Sequence, residues 1–189
     1  MAFVPRLSTL TPTDMTNNPW WYSSGNKYYA SGYGLPNCTC YCYGRVGEYL
    51  GAFDTRVPNG DGGQWYPNAV AAGELPVGGE PALGAIACWY DPGGYYAGHV
   101  AIVEDIQDNG NTLILSNSGW VRPIPPSDPF NFWTATVTRD YNYTETWARA
   151  RGYVLQGFIY TYQEPTPPPP PPPTRRNGLP IWMLLRYGL

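Results

Sequence analysis

Seven consecutive prolines, Pro167 to Pro173, limit how much of this chain can fold into a domain. Proline has a fixed φ and no backbone N–H, so such a run continues neither a helix nor a sheet and instead forms a polyproline II rod. We therefore divide the 189 residues into an N-terminal arm (1–25), a folded body (26–162), a polyproline linker (163–174) and a C-terminal tail (175–189). The body is long enough for one domain of ordinary size.

The composition predicts a body that is rich in loops but folded. The chain has 22 glycines and 22 prolines, which favour turns, together with 17 tyrosines and 8 tryptophans, which disordered segments lack. Only 13% of the residues are charged, and the net charge of −3 is too small to indicate a nucleic acid or a membrane as partner. We expect a monomer.

The counts of histidine and cysteine exclude several kinds of site. The single histidine, His99, excludes within one chain every metal site that needs two imidazoles, such as those of HExxH proteases and three-histidine zinc hydrolases. Three of the four cysteines, Cys38, Cys40 and Cys42, alternate along the chain. That spacing matches neither a disulfide framework nor the CxxC pattern of zinc sites. We expect no metal and no other cofactor.

The two ends of the chain suggest where the protein is made and what its tail does. The N-terminus lacks a basic segment followed by an apolar run, which predicts a product made in the cytoplasm without a signal peptide. In the tail, Arg175, Arg176 and Arg186 flank the apolar run 181–185. This pattern favours docking on a partner groove or an anionic surface, and a disordered tail without a partner is the alternative.

The body begins with a predicted helix and continues with predicted strands. Pro36 and Asn37 precede a helical apolar pattern, and Gly51 follows it, which predicts a helix from Cys38 to Leu50. Short β-like runs follow at 84–90, 99–104, 112–116 and 152–160, separated by turn signals such as Asp91-Pro-Gly-Gly and Asp108-Asn-Gly-Asn. One early helix followed by an antiparallel sheet is an α+β architecture.

Cys38 and His99 stand where nucleophilic catalysis would need them. Cys38 lies at the start of the predicted helix, where the free N–H groups stabilise a thiolate, and His99 opens a predicted strand. A Cys–His pair that performs acyl transfer needs a third polar group to hold the imidazole. That group must come from a neighbouring strand on the same face as His99.

The register of the next hairpin predicts which residue this is. A three-residue loop over 108–110 places Asn117 opposite Ala101 and diagonal to His99, and a two-residue turn would instead place Ser116 and Ser118 on that face. We favour Asn117, because its amide oxygen can accept the imidazole N–H. Glu104 has the opposite parity from His99 and should point away.

These residues belong to a series of motifs that resembles a known family. In chain order the motifs are Pro36-Asn-Cys-Thr-Cys-Tyr41, Gly60-Asp-Gly-Gly-Gln-Trp65, Pro81-Ala-Leu-Gly-Ala-Ile-Ala-Cys-Trp89, Gly98-His-Val-Ala-Ile-Val-Glu104, Ser116-Asn-Ser-Gly-Trp120 and Leu155-Gln-Gly-Phe-Ile-Tyr160. The series resembles the cysteine, histidine-dependent amidohydrolase/peptidase (CHAP) domain, especially that of bacteriophage lysins. Some CHAP domains bind calcium through acidic residues before the cysteine, but residues 26–37 contain no carboxylate, so we expect no calcium.

The resemblance implies a fold, a reaction and a site. It implies a papain-like fold in which Cys38 is the nucleophile, His99 the general base and Asn117 the residue that orients it. The implied substrate is an amide bond in the peptide part of bacterial peptidoglycan, cut by a phage endolysin or virion-associated lysin. The lysin would act as an endopeptidase or as an N-acetylmuramoyl-L-alanine amidase.

Four further residues are candidates for contact with the substrate. Tyr33 and Asn37 could donate to the oxyanion, and Trp65 and Trp120 could line a groove, although tryptophans at such positions more often belong to a core. The alternative function is a non-catalytic wall-binding or structural protein of a phage virion, whose tail docks into the particle or on an envelope partner. A secreted bacterial hydrolase is disfavoured by the missing signal peptide.

Overall fold

The computed structural model describes residues 3–7, 18–119 and 130–162. Trp120, the polyproline linker and the C-terminal tail lie outside these ranges. Within them the helices are α1 (Pro19–Tyr22), α2 (Lys27–Ala30), α3 (Cys38–Leu50), α4 (Gly62–Ala72) and α5 (Thr146–Ala150). The strands are β1 (Val77–Gly78), β2 (Ile86–Tyr90), β3 (His99–Gln107), β4 (Thr112–Ser118), β5 (Phe132–Thr138) and β6 (Val154–Ile159).

The strands form one antiparallel sheet with hydrophobic clusters on its two faces. Their order is β1-β6-β2-β3-β4-β5, and every neighbouring pair is antiparallel. On one face, Val100 and Ile102 of β3 pack in the same cluster as Val46 of α3. On the other, Ala101 and Val103 pack in the cluster that contains Ala148 of α5. The molecule is therefore α+β, as the sequence predicts. None of the helices in the described ranges has the length and apolar character to cross a bilayer.

Helix α3 has the bounds that the sequence predicts. The Asn37 side-chain oxygen accepts the backbone N–H groups of Thr39 (2.9 Å) and Cys40 (3.0 Å), which caps the first turn. The helix ends at Gly51, whose φ of 75° is the left-handed conformation that closes many helices. These two ends fix Cys38 as the first residue of α3.

Helix α4 was not predicted, because its sequence is poor in helix-forming residues. It begins with two glycines and contains Pro67. The glycines allow a close approach to the sheet: a Cβ on Gly62 would lie 3.0 Å from backbone atoms of His99, and the Gly63 N–H donates to the Ala97 oxygen at 2.8 Å. Tertiary contact with the start of β3 therefore explains this helix better than local propensity does.

The β3–β4 hairpin contains both registers that the sequence left open. Near the site, Ile102 pairs with Ser116, as the three-residue loop predicts. Towards the turn, Gln107 pairs with Thr112, the register of the alternative. An irregularity between Val103 and Asp105 absorbs the difference, as a β-bulge does. The expected loop was thus wrong, because residues 108–111 connect the strands, but the register beside His99 was right.

The segment 3–7 packs on the body through a buried ion pair. Glu104 is fully buried and accepts from Arg45 Nε (2.9 Å) and Nη2 (2.8 Å) of α3. The same carboxylate accepts the backbone N–H of Arg6 (2.8 Å), and Arg45 also donates to the Val4 oxygen (2.6 Å). Glu104 therefore points towards α3, away from His99, as its parity predicts.

Candidate active site

Cys38 reaches the candidate site from the first position of α3. Its side chain is part-exposed, and burial raises the pKa of the thiol to about 11. The backbone groups of Val100, Thr39 and Cys38 itself act in the opposite direction, because they stabilise the thiolate. Burial is the larger effect, so the thiol is protonated at neutral pH in this arrangement.

His99 is held by Asn117 in a buried position. Its Nε2 lies 2.9 Å from Asn117 Oδ1, and only 2% of the residue is exposed. An amide oxygen can only accept, so Nε2 carries the proton and Nδ1 presents its lone pair. Among the described residues, Nδ1 has no hydrogen-bond partner. Burial lowers the pKa of His99 to about 4, and the bond to Asn117 acts in the opposite direction.

Three tryptophans surround the imidazole. The ring of Trp133 is nearly parallel to that of His99 (centroids 6.0 Å apart, 13°), and the ring of Trp147 meets it edge to face (5.2 Å, 87°). Trp89 lies at 6.0 Å with a 35° tilt. These apolar rings exclude water from the imidazole, which is the physical cause of its lowered pKa.

A cavity of about 300 Å³ brings Cys38 and His99 together, since both line it. Gly119 lies between them: a Cβ placed there would be 3.8 Å from Cys38 Cβ and 3.8 Å from His99 Cε1. The thiol and the unpartnered ring nitrogen therefore belong to residues that face one space.

The serines that were the alternatives to Asn117 are engaged elsewhere. Ser116 Oγ donates to Glu104 Oε1 (2.7 Å) and accepts from Tyr41 OH (2.8 Å). Ser118 Oγ donates to the Phe130 oxygen at 2.6 Å. Of the three candidates, only Asn117 contacts the imidazole within the described part of the chain.

The four expected substrate contacts have different positions. Tyr33 is 63% exposed and lines a second cavity, of about 290 Å³, that shares Asn37 with the first. The oxygen of Asn37 is used to cap α3, so only its NH₂ group could serve a substrate. The expectation for Trp65 is wrong, because the ring is fully buried and its N–H donates to the Gly60 oxygen (3.1 Å). Trp120 lies outside the described residues.

Sequence reasoning did not single out three other residues that line the first cavity, namely Tyr96, Tyr153 and Arg151. The signal for Tyr96 was the Asp91-Pro-Gly-Gly turn, because the Asp91 carboxylate accepts the backbone N–H groups of Gly93 (2.8 Å), Tyr95 (2.8 Å) and Tyr96 (2.9 Å) and so shapes the loop. No sequence pattern indicated that the Arg151 guanidinium would lie 5.4 Å from the Tyr96 ring.

Comparison with known proteins gives matches to parts of two bacterial proteins. The matched segment is 44% identical over 59 residues to a protein named "Putative hydrolase" from Streptococcus mutans, which is 31% of this chain and 26% of that protein. It is 37% identical over 93 residues to staphylococcal secretory antigen SsaA from Staphylococcus aureus, 49% of this chain and 31% of that protein. The matches thus span less than a third of either relative.

A solved structure of an N-acetylmuramoyl-L-alanine amidase from Staphylococcus aureus is also similar, at 19% identity and a TM-score of 0.42, over 66% of this chain and 30% of that one. The family model for the CHAP domain matches residues 25–118, which include Cys38, His99 and Asn117. The α+β body described above therefore contains a segment that matches the CHAP domain over just under half of the chain, and its early helix and antiparallel sheet fit the papain-like fold that the resemblance implies.

Proposed function

We propose that this chain hydrolyses amide bonds in the peptide part of peptidoglycan, with Cys38 as nucleophile, His99 as general base and Asn117 as the residue that orients His99. One observation carries the proposal. Asn117 Oδ1 lies 2.9 Å from His99 Nε2, His99 Nδ1 has no partner among the described residues, and His99 lines the same cavity as Cys38. The CHAP domain supports the reaction class. The name of the relative from Streptococcus mutans, a hydrolase, supports hydrolysis, and the resemblance of the motif series to the CHAP family supports the peptidoglycan substrate.

The proposed first step starts from an uncharged pair. With the pKa of Cys38 near 11 and that of His99 near 4, the proton resides on sulfur before the substrate reacts. As sulfur attacks the amide carbonyl, the thiol proton moves to Nδ1 of His99. The Asn117 oxygen stabilises the imidazolium through the Nε2–H that it already holds.

The start of α3 supplies the group that would stabilise the oxyanion. The N–H of a helix's first residue has no acceptor within the helix, and that residue here is Cys38. Its N–H, at the positive end of α3, can donate to the oxygen that becomes negative when sulfur adds to the carbonyl. The C–N bond then breaks, His99 gives its proton to the leaving amine, and a thioester remains. Water, activated by His99, hydrolyses the thioester to the free acid and restores the thiol.

The test compares two cysteines of the same helix. Cys38→Ala should abolish the loss of turbidity of purified cell walls, whereas Cys40→Ala, which alters a fully buried thiol in the core cluster, should retain it. Equal clearing by wild type and Cys38→Ala would refute the cysteine mechanism. Wall binding without clearing by the wild-type protein would favour the non-catalytic alternative.

Mass spectrometry of digested muropeptides would identify the bond that is cut. A new free amine on a stem or bridge residue would identify an endopeptidase. A free lactyl carboxylate on muramic acid would identify an amidase.

We also propose that the protein serves as a bacteriophage lysin, either an endolysin or a virion-associated enzyme. The order of its motifs, which resembles that of phage lysins, supports this proposal. The tail would then dock on a virion or envelope partner. Antibody detection in purified virions and in the cleared lysate would separate the two roles, and absence from both fractions of an infected culture would contradict the proposal.

A further inference from the structure

The cavity that Cys38 and His99 line also has a cationic side chain in its wall. This is Arg151, whose guanidinium lies 5.4 Å from the ring centroid of Tyr96 and 5.7 Å from that of Trp147. The backbone fixes this position: Arg151 is the C-terminal cap of α5, its N–H donates to the Ala148 oxygen at 3.1 Å, and Gly152 follows with a φ of 78°. The arginine is therefore held against two aromatic rings at the wall of the site.

Arg151 differs from most arginines of the described part of the chain in having no carboxylate partner there. Four others form ion pairs, namely Arg6 with Glu48, Arg45 with Glu104, Arg56 with Asp54 and Arg139 with Glu80. Asp91, which begins the loop that carries Tyr96, already accepts three backbone N–H groups. The guanidinium of Arg151 thus keeps its donors available to a ligand in the cavity.

The chemistry of a guanidinium indicates what this ligand would be. Its planar fork of N–H donors matches a carboxylate, which can accept two parallel bonds. The aromatic rings beside Arg151 limit its motion, so less conformational freedom is lost when the anion binds. The peptides of peptidoglycan carry free carboxylates close to their amide bonds wherever these groups are not amidated.

We propose that Arg151 binds a free carboxylate of the substrate peptide and thereby selects substrates that are not amidated at that position. This inference rests on the proposed function, because it concerns the same cavity and the same substrate. In it, Arg151 acts on binding, and its contribution appears mainly in KM. Asp61, the other charged residue among those that line the cavity, would repel the same carboxylate and so favour binding next to the guanidinium of Arg151.

The experiment uses soluble muropeptides in two forms, untreated and amidated with a carbodiimide and ammonia, so that carboxylates become uncharged amides. For the wild-type full chain, amidation should lower kcat/KM at least about tenfold, the size expected for a lost charge-assisted bond. Arg151→Gln should lose a similar factor on untreated muropeptides and respond little to amidation. Arg151→Lys, which keeps the charge and loses the fork, should lie between the two.

The matched control is the nearby Arg149. Its guanidinium lies 4.0 Å from the Tyr141 ring, outside the residues that line the cavity, so Arg149→Gln changes the net charge equally without changing the site. Arg149→Gln should lose the same factor in kcat/KM between untreated and amidated muropeptides as the wild type does. Thermal unfolding and the rate of Cys38 alkylation establish that Arg151→Gln is folded. If that variant does not fold, Arg151→Lys and the effect of amidation on wild type decide the question.

Equal rates on both substrates for wild type, or equal sensitivity to amidation in Arg151→Gln and wild type, would refute the role of Arg151 and leave the proposed function standing. Failure of wild type and Arg149→Gln to cleave either substrate would instead refute the proposed function, and the inference would fall with it.

Discussion

Replacing Glu104 with glutamine tests how much the fold depends on its buried ion pair. The two carboxylate oxygens accept four hydrogen bonds: from Arg45 Nε and Ser116 Oγ (2.9 and 2.7 Å), and from Arg45 Nη2 and the Arg6 N–H (2.8 Å each). All four partners are donors. In Glu104→Gln one oxygen becomes an NH₂ group. If it faces Arg45 Nη2 and the Arg6 N–H, both bonds are lost; if it faces Arg45 Nε and Ser116 Oγ, the bond to Nε is lost, because a guanidinium only donates whereas the hydroxyl can also accept.

The cost follows from the burial of both partners. The side chains of Glu104 and Arg45 are 0% and 4% exposed, so the variant leaves a buried guanidinium beside an uncharged amide. Removing one partner of a buried pair costs about 3–5 kcal/mol. Arg45 keeps its bond to Glu48 at 2.7 Å, so we expect the lower end, about 3 kcal/mol. That corresponds to a fall of about 6–12 °C in Tm for a domain of this size.

Urea unfolding followed by tryptophan fluorescence measures this cost, and an exposed pair provides the control. Glu80 and Arg139 have the same N–O distance, 2.8 Å, but their side chains are 74% and 47% exposed. Glu80→Gln should therefore leave the unfolding midpoint nearly unchanged, because water screens exposed pairs. Equal midpoint shifts for Glu80→Gln and Glu104→Gln, at unchanged slopes, would refute the reasoning from burial.

Three further predictions concern the candidate site. Asn117→Ala removes the acceptor that holds the His99 Nε2–H, so kcat on muropeptides should fall about tenfold to a hundredfold. The Tm should fall as well, because a buried N–H loses its acceptor. An unchanged kcat in the folded variant would contradict the orienting role. Burial raises the pKa of Cys38 to about 11 and lowers that of His99 to about 4. Alkylation of Cys38 by iodoacetamide should therefore accelerate about tenfold per pH unit from pH 7 to 10, because the thiolate fraction rises by that factor. A rate that is constant between pH 5 and 8 would instead reveal a thiolate–imidazolium pair. Gly98→Ala should lower the Tm more than Gly94→Ala does. Both glycines have a positive φ (78° and 71°), but only a Cβ on Gly98 would lie 2.5 Å from a backbone oxygen. Similar losses of Tm would show that backbone conformation alone matters.

The helix and its cysteine could be predicted because their signals are local. Asn37 and Gly51 mark the two ends of α3, and both act through bonds within a few residues. Helix α4 could not be predicted in this way, because Gly62 and Gly63 owe their positions to contact with the start of β3. Trp65, on the same helix, was wrongly expected at a groove, since sequence alone does not indicate which face of an unpredicted helix is buried.

The site itself was partly predictable. The pairing of β3 with β4 placed Asn117 on the face of His99, although the loop assumed for that pairing was wrong. A bulge shifts the register and leaves no clear mark in the sequence around Glu104. Arg151 could not be found, because its place in the cavity depends on how α5 packs against the loop that carries Tyr96.

The bulge at Glu104 has a practical consequence for labelling the protein. The loop 108–111 lies at the end of the β3–β4 hairpin away from the cavity, and its register is already offset from that beside Asn117. Asp108, Asn109 and Asn111 are exposed there. A peptide tag or a fluorophore inserted in this loop would therefore extend into solvent, with the pairing of Ile102 with Ser116 left in place. The hairpin tip thus offers an attachment point for following the protein in binding experiments without moving His99 relative to Asn117.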